Sequence, residues 1–170
     1  MASSCLRISR VVEVTNREVD ICLIHPSTLL QMLFQVTGTM FKDVTQDETG
    51  DRSACFVKGR FSHVGKSLGV PPRAFAIRVL YNRLPNNVHI VLDNEYEQCK
   101  ILPVACEGVA FQTFSVRIDK VGLNKFTLGV DVGFTLPCRL PEVLCRWPKY
   151  MVVRATKQLG SVLSMVGEAS

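Results

Sequence analysis

The chain has 170 residues, 47% of them apolar and 21% charged, and carries a formal net charge of +5. That length suits one domain spanning residues 1–170, and folding would bury roughly 70% of the surface the unfolded chain exposes, so neither disulfides nor a metal is needed for stability. The composition excludes wholesale disorder, and no apolar run approaches the ~20 residues of a membrane-spanning helix. The opening Met1–Arg7 lacks the apolar core of a secretory signal, and position 2 is Ala2 rather than the glycine that myristoylation needs, so a cytosolic chain is expected.

In chain order, Leu6–Val14 reads as a strand, Thr15–Glu18 as a turn and Val19–Ile24 as the returning strand of a hairpin. His25-Pro26-Ser27-Thr28 reads as a helix start, and the helix is expected to run to about Phe41. Its apolar residues, from Leu29 to Phe41, cover more than one stripe, which suits a helix buried on two sides. Asp43–Ser53, polar and acidic, is expected to be a mobile surface loop. Strands follow at Ala54–Val64, Phe75–Tyr81 and Val88–Leu92, then a second acidic loop at Asp93–Glu97. Val109–Asp119 and Lys125–Leu136 form the clearest pair. In the latter, Phe126, Leu128, Val130, Val132, Phe134 and Leu136 alternate with polar residues or glycine, the period of a half-buried strand. Pro137, Pro141 and Pro148 punctuate a connection, Tyr150–Arg154 reads as a short strand, and Leu159, Val162, Leu163 and Val166 place a short helix at the end. These elements predict an α+β fold: a largely antiparallel sheet, one long helix in the N-terminal half and a short C-terminal helix.

No constellation carries a recognisable catalytic or metal chemistry. The seven cysteines include no C-x-x-C pair, and the closest pairs, Cys99/Cys106 and Cys138/Cys145, are each seven apart, so reduced core thiols are expected and no metal or cofactor is assigned. Gly65-Lys66-Ser67 resembles the end of a phosphate-binding loop, but Gly59 stands one residue too early for the motif and Pro71-Pro72 interrupt any following helix. The histidines His25, His63 and His89 form no local dyad with a cysteine, seven of the fifteen carboxylates fall in the two acidic segments, and an enzyme is not expected.

Charge is more informative. From Arg52 to Leu92 the chain has basic residues and no Asp or Glu. Lys58 and Arg60 share a strand face, Arg78 takes the face opposite Phe75, Ile77, Val79 and Tyr81, and Lys66, Arg73 and Arg83 lie nearby in sequence. Such a patch attracts RNA phosphates or anionic headgroups. Near the C-terminus Trp147, Lys149 and Tyr150 are a candidate membrane or subunit contact.

The order of these features resembles the matrix proteins of non-segmented negative-strand RNA viruses, of the plant rhabdovirus and bornavirus type. The residues that carry it are Leu6–Val14 leading into the helix after His25-Pro26, the basic middle segment, and Phe114–Asp119, Phe126–Phe134 and Lys149–Val153 before the terminal helix. The resemblance implies a non-enzymatic structural protein of the virion and host cytoplasm that forms homo-oligomers, binds an anionic membrane surface, the viral nucleocapsid or RNA, and other viral or host proteins. Pro71-Pro72-Arg73-Ala74 departs from the family's Pro-Pro-x-Tyr motif, so recruitment of budding machinery through it is not implied. Two alternatives stand beside this reading. One is a non-assembling RNA-binding or silencing-suppressor protein; the other is a small apolar-ligand carrier, which requires a cavity of several hundred Å³.

Overall fold

The computed structural model describes residues 4–38, 41–48, 53–61, 74–95, 110–136 and 142–167. Strand β1 (Ser4–Thr15) leads through a single 3-10 turn (Ile21–Leu23) to helix α1 (Pro26–Val36). Strands β2 (Phe41–Asp47), β3 (Ala54–Phe61), β4 (Ala74–Leu84), β5 (Asn87–Leu92), β6 (Ala110–Gly122) and β7 (Lys125–Leu136) follow, and helix α2 (Glu142–Met165) closes the chain. All seven strands form one antiparallel sheet in the order β1-β7-β6-β5-β4-β3-β2.

The α+β class and the antiparallel sheet are as the alternation predicts; the placing of the long helix is not. The 24-residue helix is α2, near the C-terminus, while α1 has 11 residues. Tyr150–Arg154, expected to be a strand, lies inside α2. Its β-branched and aromatic run favours a strand only where a neighbouring strand pairs with it. Here Val152, Ala155, Thr156, Leu159 and Leu163 recur every three or four residues and are buried, and packing against β1, β7 and α1 fixes the helical choice. Gly160 permits the close approach, since a Cβ there would sit 3.2 Å from Val12 Cγ2.

Three further corrections concern the first third. Val19–Ile24 does not return beside β1; Asp20 accepts a hydrogen bond from the Cys22 amide and caps the 3-10 turn, while β1 pairs with β7 from Ser4↔Leu136 to Thr15↔Lys125. Alternation identifies a strand but not its partner. Helix α1 stops at Val36 because Thr37 caps it, its hydroxyl donating to the Leu33 and Phe34 carbonyls. Part of the expected acidic loop is β2, an edge strand. Its polar residues suit an edge, and Asp43, at φ 53°, accompanies the register shift between Lys42 and Thr45.

Both helices press on one face of the sheet. Phe75, Ile77, Val79, Val88, Ile90, Val116, Ile118, Phe126 and Leu128 point inward to Leu29, Leu30 and Leu33 of α1 and Leu159 and Leu163 of α2. The turns match the sequence reading: Pro85-Asn86 joins β4 to β5, and Leu123-Asn124 joins β6 to β7, with Asn124 at φ 62°. Among the described residues no helix is long and apolar enough to cross a membrane.

The outer face is polar. His89 Nε2 lies 2.8 Å from Ser115 Oγ, and burial, reinforced by Arg117, pushes its pKa down. A histidine held neutral in the native state takes up its proton later than the unfolded chain does. Its share of the stability is therefore present above the ordinary value of 6.5 and lost as pH falls below it. Urea unfolding between about pH 7.5 and about pH 5.5 should show a smaller acid loss for His89→Gln than for the native chain; equal slopes would contradict this.

Candidate ligand-binding interior

Five phenylalanines from four elements converge beneath α2. Phe34 of α1 stands nearly parallel to Phe114 of β6, with centroids 6.5 Å apart and planes at 4°, and 6.3 Å from Phe75 of β4 at 23°. Phe41 of β2 meets Phe34 and Phe75 edge-on at 5.7 and 5.3 Å, and Phe111 does the same to Phe75 at 5.4 Å. The rings surround a void of about 30 Å³, closed on the helix side by Val152, Ala155 and Thr156. That is room for a water-sized molecule, in a lining too apolar to hold one.

Two surface depressions adjoin this void. One, of about 190 Å³, lies between the end of α1 and the middle of α2, with Gln35, Arg154 and Gln158 on its rim. It shares Thr37 and Ala155 with the void, so a single layer of side chains separates surface from interior. The other, of about 470 Å³, runs between α1 and β2 and shares Phe34 and Phe41 with the void. A ligand of ordinary size, needing roughly 300 Å³ or more, fits only when these rings or α2 move outward.

The described walls of the void hold no ionisable side chain, and their hydroxyls are occupied: Thr156 donates to the Val152 carbonyl at 2.8 Å and Thr37 to those of Leu33 and Phe34. Elsewhere in the core, burial pushes the thiols of Cys22 and Cys55 up, while burial, Cys55 and Glu48 together push the Tyr81 phenol up. These groups stay protonated and make poor nucleophiles at neutral pH. Among the described residues no three His, Cys, Asp or Glu side chains are placed to hold a metal.

Of the basic residues singled out in the sequence, the described ones divide between the two faces of the sheet. Lys58 and Arg60 are exposed on the outer face of β3, and Lys42 lies opposite Arg60. None of the three has an ion-pair partner among the described residues. Arg78 shares that face but is neutralised by Asp93, the first carboxylate beyond the basic stretch, and lies 5.8 Å from the Phe56 ring. Arg83 follows the inward register of Val79 and Tyr81 and donates to the Leu23 carbonyl at 2.7 Å. Lys66 and Arg73 lie outside the described residues, as does the segment resembling a phosphate loop.

Lys149 and Tyr150 are exposed on α2, where Trp147 also falls, although its side chain is not among those described. Arg146, Arg154 and Lys157, part of the same basic run in the sequence, are likewise exposed on α2, which has no carboxylate from Val143 to Met165. Sequence reasoning missed the phenylalanine-lined interior. The one signal for it was the excess of apolar positions around α1.

The described fold is a seven-stranded antiparallel sheet with a long C-terminal helix across one face, around an apolar interior. The solved structures similar to this chain share it. The lipid transfer and protein localization domain of human StarD13 (DLC2) is 17% identical with a TM-score of 0.62, over 89% of this chain and 75% of that one. Human STARD10 is 10% identical with a TM-score of 0.67, over 96% of this chain and 65% of that one. The Zhui aromatase/cyclase of a Streptomyces strain is 9% identical with a TM-score of 0.56, over 95% of each chain. No protein-family model and no curated protein sequence matches the chain.

These likenesses show the fold, and they overturn the resemblance to viral matrix proteins. The virion, structural-protein and self-assembly readings that hung on it are withdrawn. A strand, a helix, a basic middle and closing strands before a terminal helix describe many single-sheet α+β proteins. What separates them is the pairing order, here β1 beside β7, which a list of elements does not contain. The fold also houses an enzyme, so it does not by itself decide between binding and catalysis.

Proposed function

We propose that this chain is a carrier of small apolar ligands, held between the sheet and α2 at the phenylalanine cluster. The observation that carries the reading is the apolar void, one side-chain layer beneath a surface depression that shares its Thr37 and Ala155. The lack of an ionisable group on the described walls favours holding a ligand over transforming it. The similarity to domains named for lipid transfer points the same way. Arg154, exposed on the rim with Gln35 and Gln158, suits an amphiphile whose apolar body enters while a polar or anionic head stays at the surface.

Titration with the apolar fluorophore N-phenyl-1-naphthylamine tests this. Saturable binding is expected, displaced by both dodecanol and dodecanoate. Ala155→Phe, which thickens the shared wall, should weaken binding by about tenfold or more, equal to about 1.4 kcal/mol. Arg154→Ala should weaken dodecanoate and leave dodecanol unchanged. Absence of saturable binding, or a folded Ala155→Phe protein that binds like the native chain, would refute the reading.

A further inference from the structure

Four of the seven large hydrophobic side chains exposed on the described surface crowd one end of the sheet: Leu23, Leu84, Val121 and Leu123, at 66, 59, 62 and 86% exposure. They come from three separate segments, and hydrogen bonds tie those segments together. The Lys120 amide donates to the Asn86 carbonyl, joining the β6–β7 hairpin to the β4–β5 hairpin, and Arg83 reaches the Leu23 carbonyl. The Asn16 amide donates to the Asn124 carbonyl and brings the loop after β1 to the same end. This end lies away from the void, whose Phe75 and Phe111 stand at the beginnings of β4 and β6.

The charges around these tips are mainly positive. Arg17, Arg83 and Lys125 are exposed and have no ion-pair partner among the described residues. Asp20 is matched by Lys120 and Asp119 by Arg117, which leaves Glu18 and, in the row of Asp119, Glu13 as the unmatched carboxylates described there. We propose that this end is a membrane-docking surface: Leu84, Leu123 and their neighbours enter the interfacial region of a bilayer, and Arg17, Arg83 and Lys125 meet anionic headgroups. Apolar side chains on protruding turns suit a deformable bilayer better than a flat protein partner. The hairpin backbones are paired up to Leu84↔Asn87 and Gly122↔Lys125, so shallow insertion strips water from few unpaired amides. This surface is distinct from Trp147, Lys149 and Tyr150 and from Lys58, Arg60 and Arg78, and it does not depend on the bound ligand.

Flotation of the full chain with phosphatidylcholine vesicles, with and without phosphatidylserine, provides the test. The native chain should float with the anionic vesicles. The double variant Leu84→Ser/Leu123→Ser changes two exposed residues, so it should keep its melting temperature and its fluorophore binding while losing about tenfold or more in vesicle partitioning. A Lys149→Ser/Lys157→Ser control on α2 should partition within a few-fold of the native chain. The proposal fails if the native chain does not float, if the tip variant floats like the native chain, or if the α2 control loses as much. It also fails if the tips instead mediate a concentration-dependent dimer that the tip variant abolishes, which would make a second copy the occupant.

Discussion

Replacing Phe34 with alanine will lower the stability of the protein by about 3–5 kcal/mol, the usual cost of deleting a buried aromatic ring from a core that cannot collapse. Phe34 is 8% exposed and touches the rings of Phe41, Phe75 and Phe114, which are held by three different strands. Two of these strands, β4 and β6, are paired on both sides and cannot close over the missing ring, so the void should grow rather than heal. The same substitution should therefore enlarge the site for benzene, seen as a rise in melting temperature with benzene greater than the native chain shows. Chemical denaturation measures the first effect and a ligand-dependent thermal shift the second. A loss below about 1 kcal/mol would mean that the cluster is loosely packed and Phe34 is no structural keystone.

The second large effect is expected at Asn16, a polar residue only 3% exposed. Its Nδ2 donates to the Leu163 and Val166 carbonyls at 2.8 and 2.9 Å, and its Oδ1 accepts from the amides of Glu18 and Val19. One side chain thus stitches the end of β1 to the C-terminal turn of α2, where the helix dipole already concentrates negative charge. Asn16→Asp keeps the shape, removes both donors and sets a carboxylate against two carbonyl oxygens. The expected cost near neutral pH is about 3–5 kcal/mol, that of an uncompensated buried charge. A carboxyl in this setting is held above its ordinary pKa, so the deficit should be full above that raised value and shrink as acid protonates it. Unfolding of the variant at two pH values, set against the native chain, checks both statements. A deficit that is small or grows in acid would contradict them.

Much of the sheet was legible in the sequence because half-buried strands write their period plainly. The alternation of Lys125–Leu136, the Leu123-Asn124 turn and the shared inward face of Phe75, Ile77, Val79 and Tyr81 all appear in the structure. What was hidden depends on partners distant in sequence. β2 is polar because it is an edge, so it read as a loop. α2 is helical because β1 and β7 receive its Val152, Leu159 and Leu163, so its Tyr150–Val153 run misled. The basic stretch lost Arg78 to Asp93, the residue just beyond it.

The interior was the least legible feature of all. Phe34, Phe41, Phe75, Phe111 and Phe114 are spread over 81 residues and look like ordinary core positions until the fold brings them together. Nothing in their local sequence distinguishes a ring that fills a core from one that yields to a ligand.

That distinction is measurable. Dodecanol titrated into protein with labelled methyl groups should shift the Val130, Val132 and Val152 methyls that line the void, to saturation and at one common affinity. These three should move together while Leu23, Leu84 and Leu123 at the far tips stay still. Unmoved interior methyls at saturating dodecanol, or shifts confined to the tips, would contradict a ligand held between the sheet and α2.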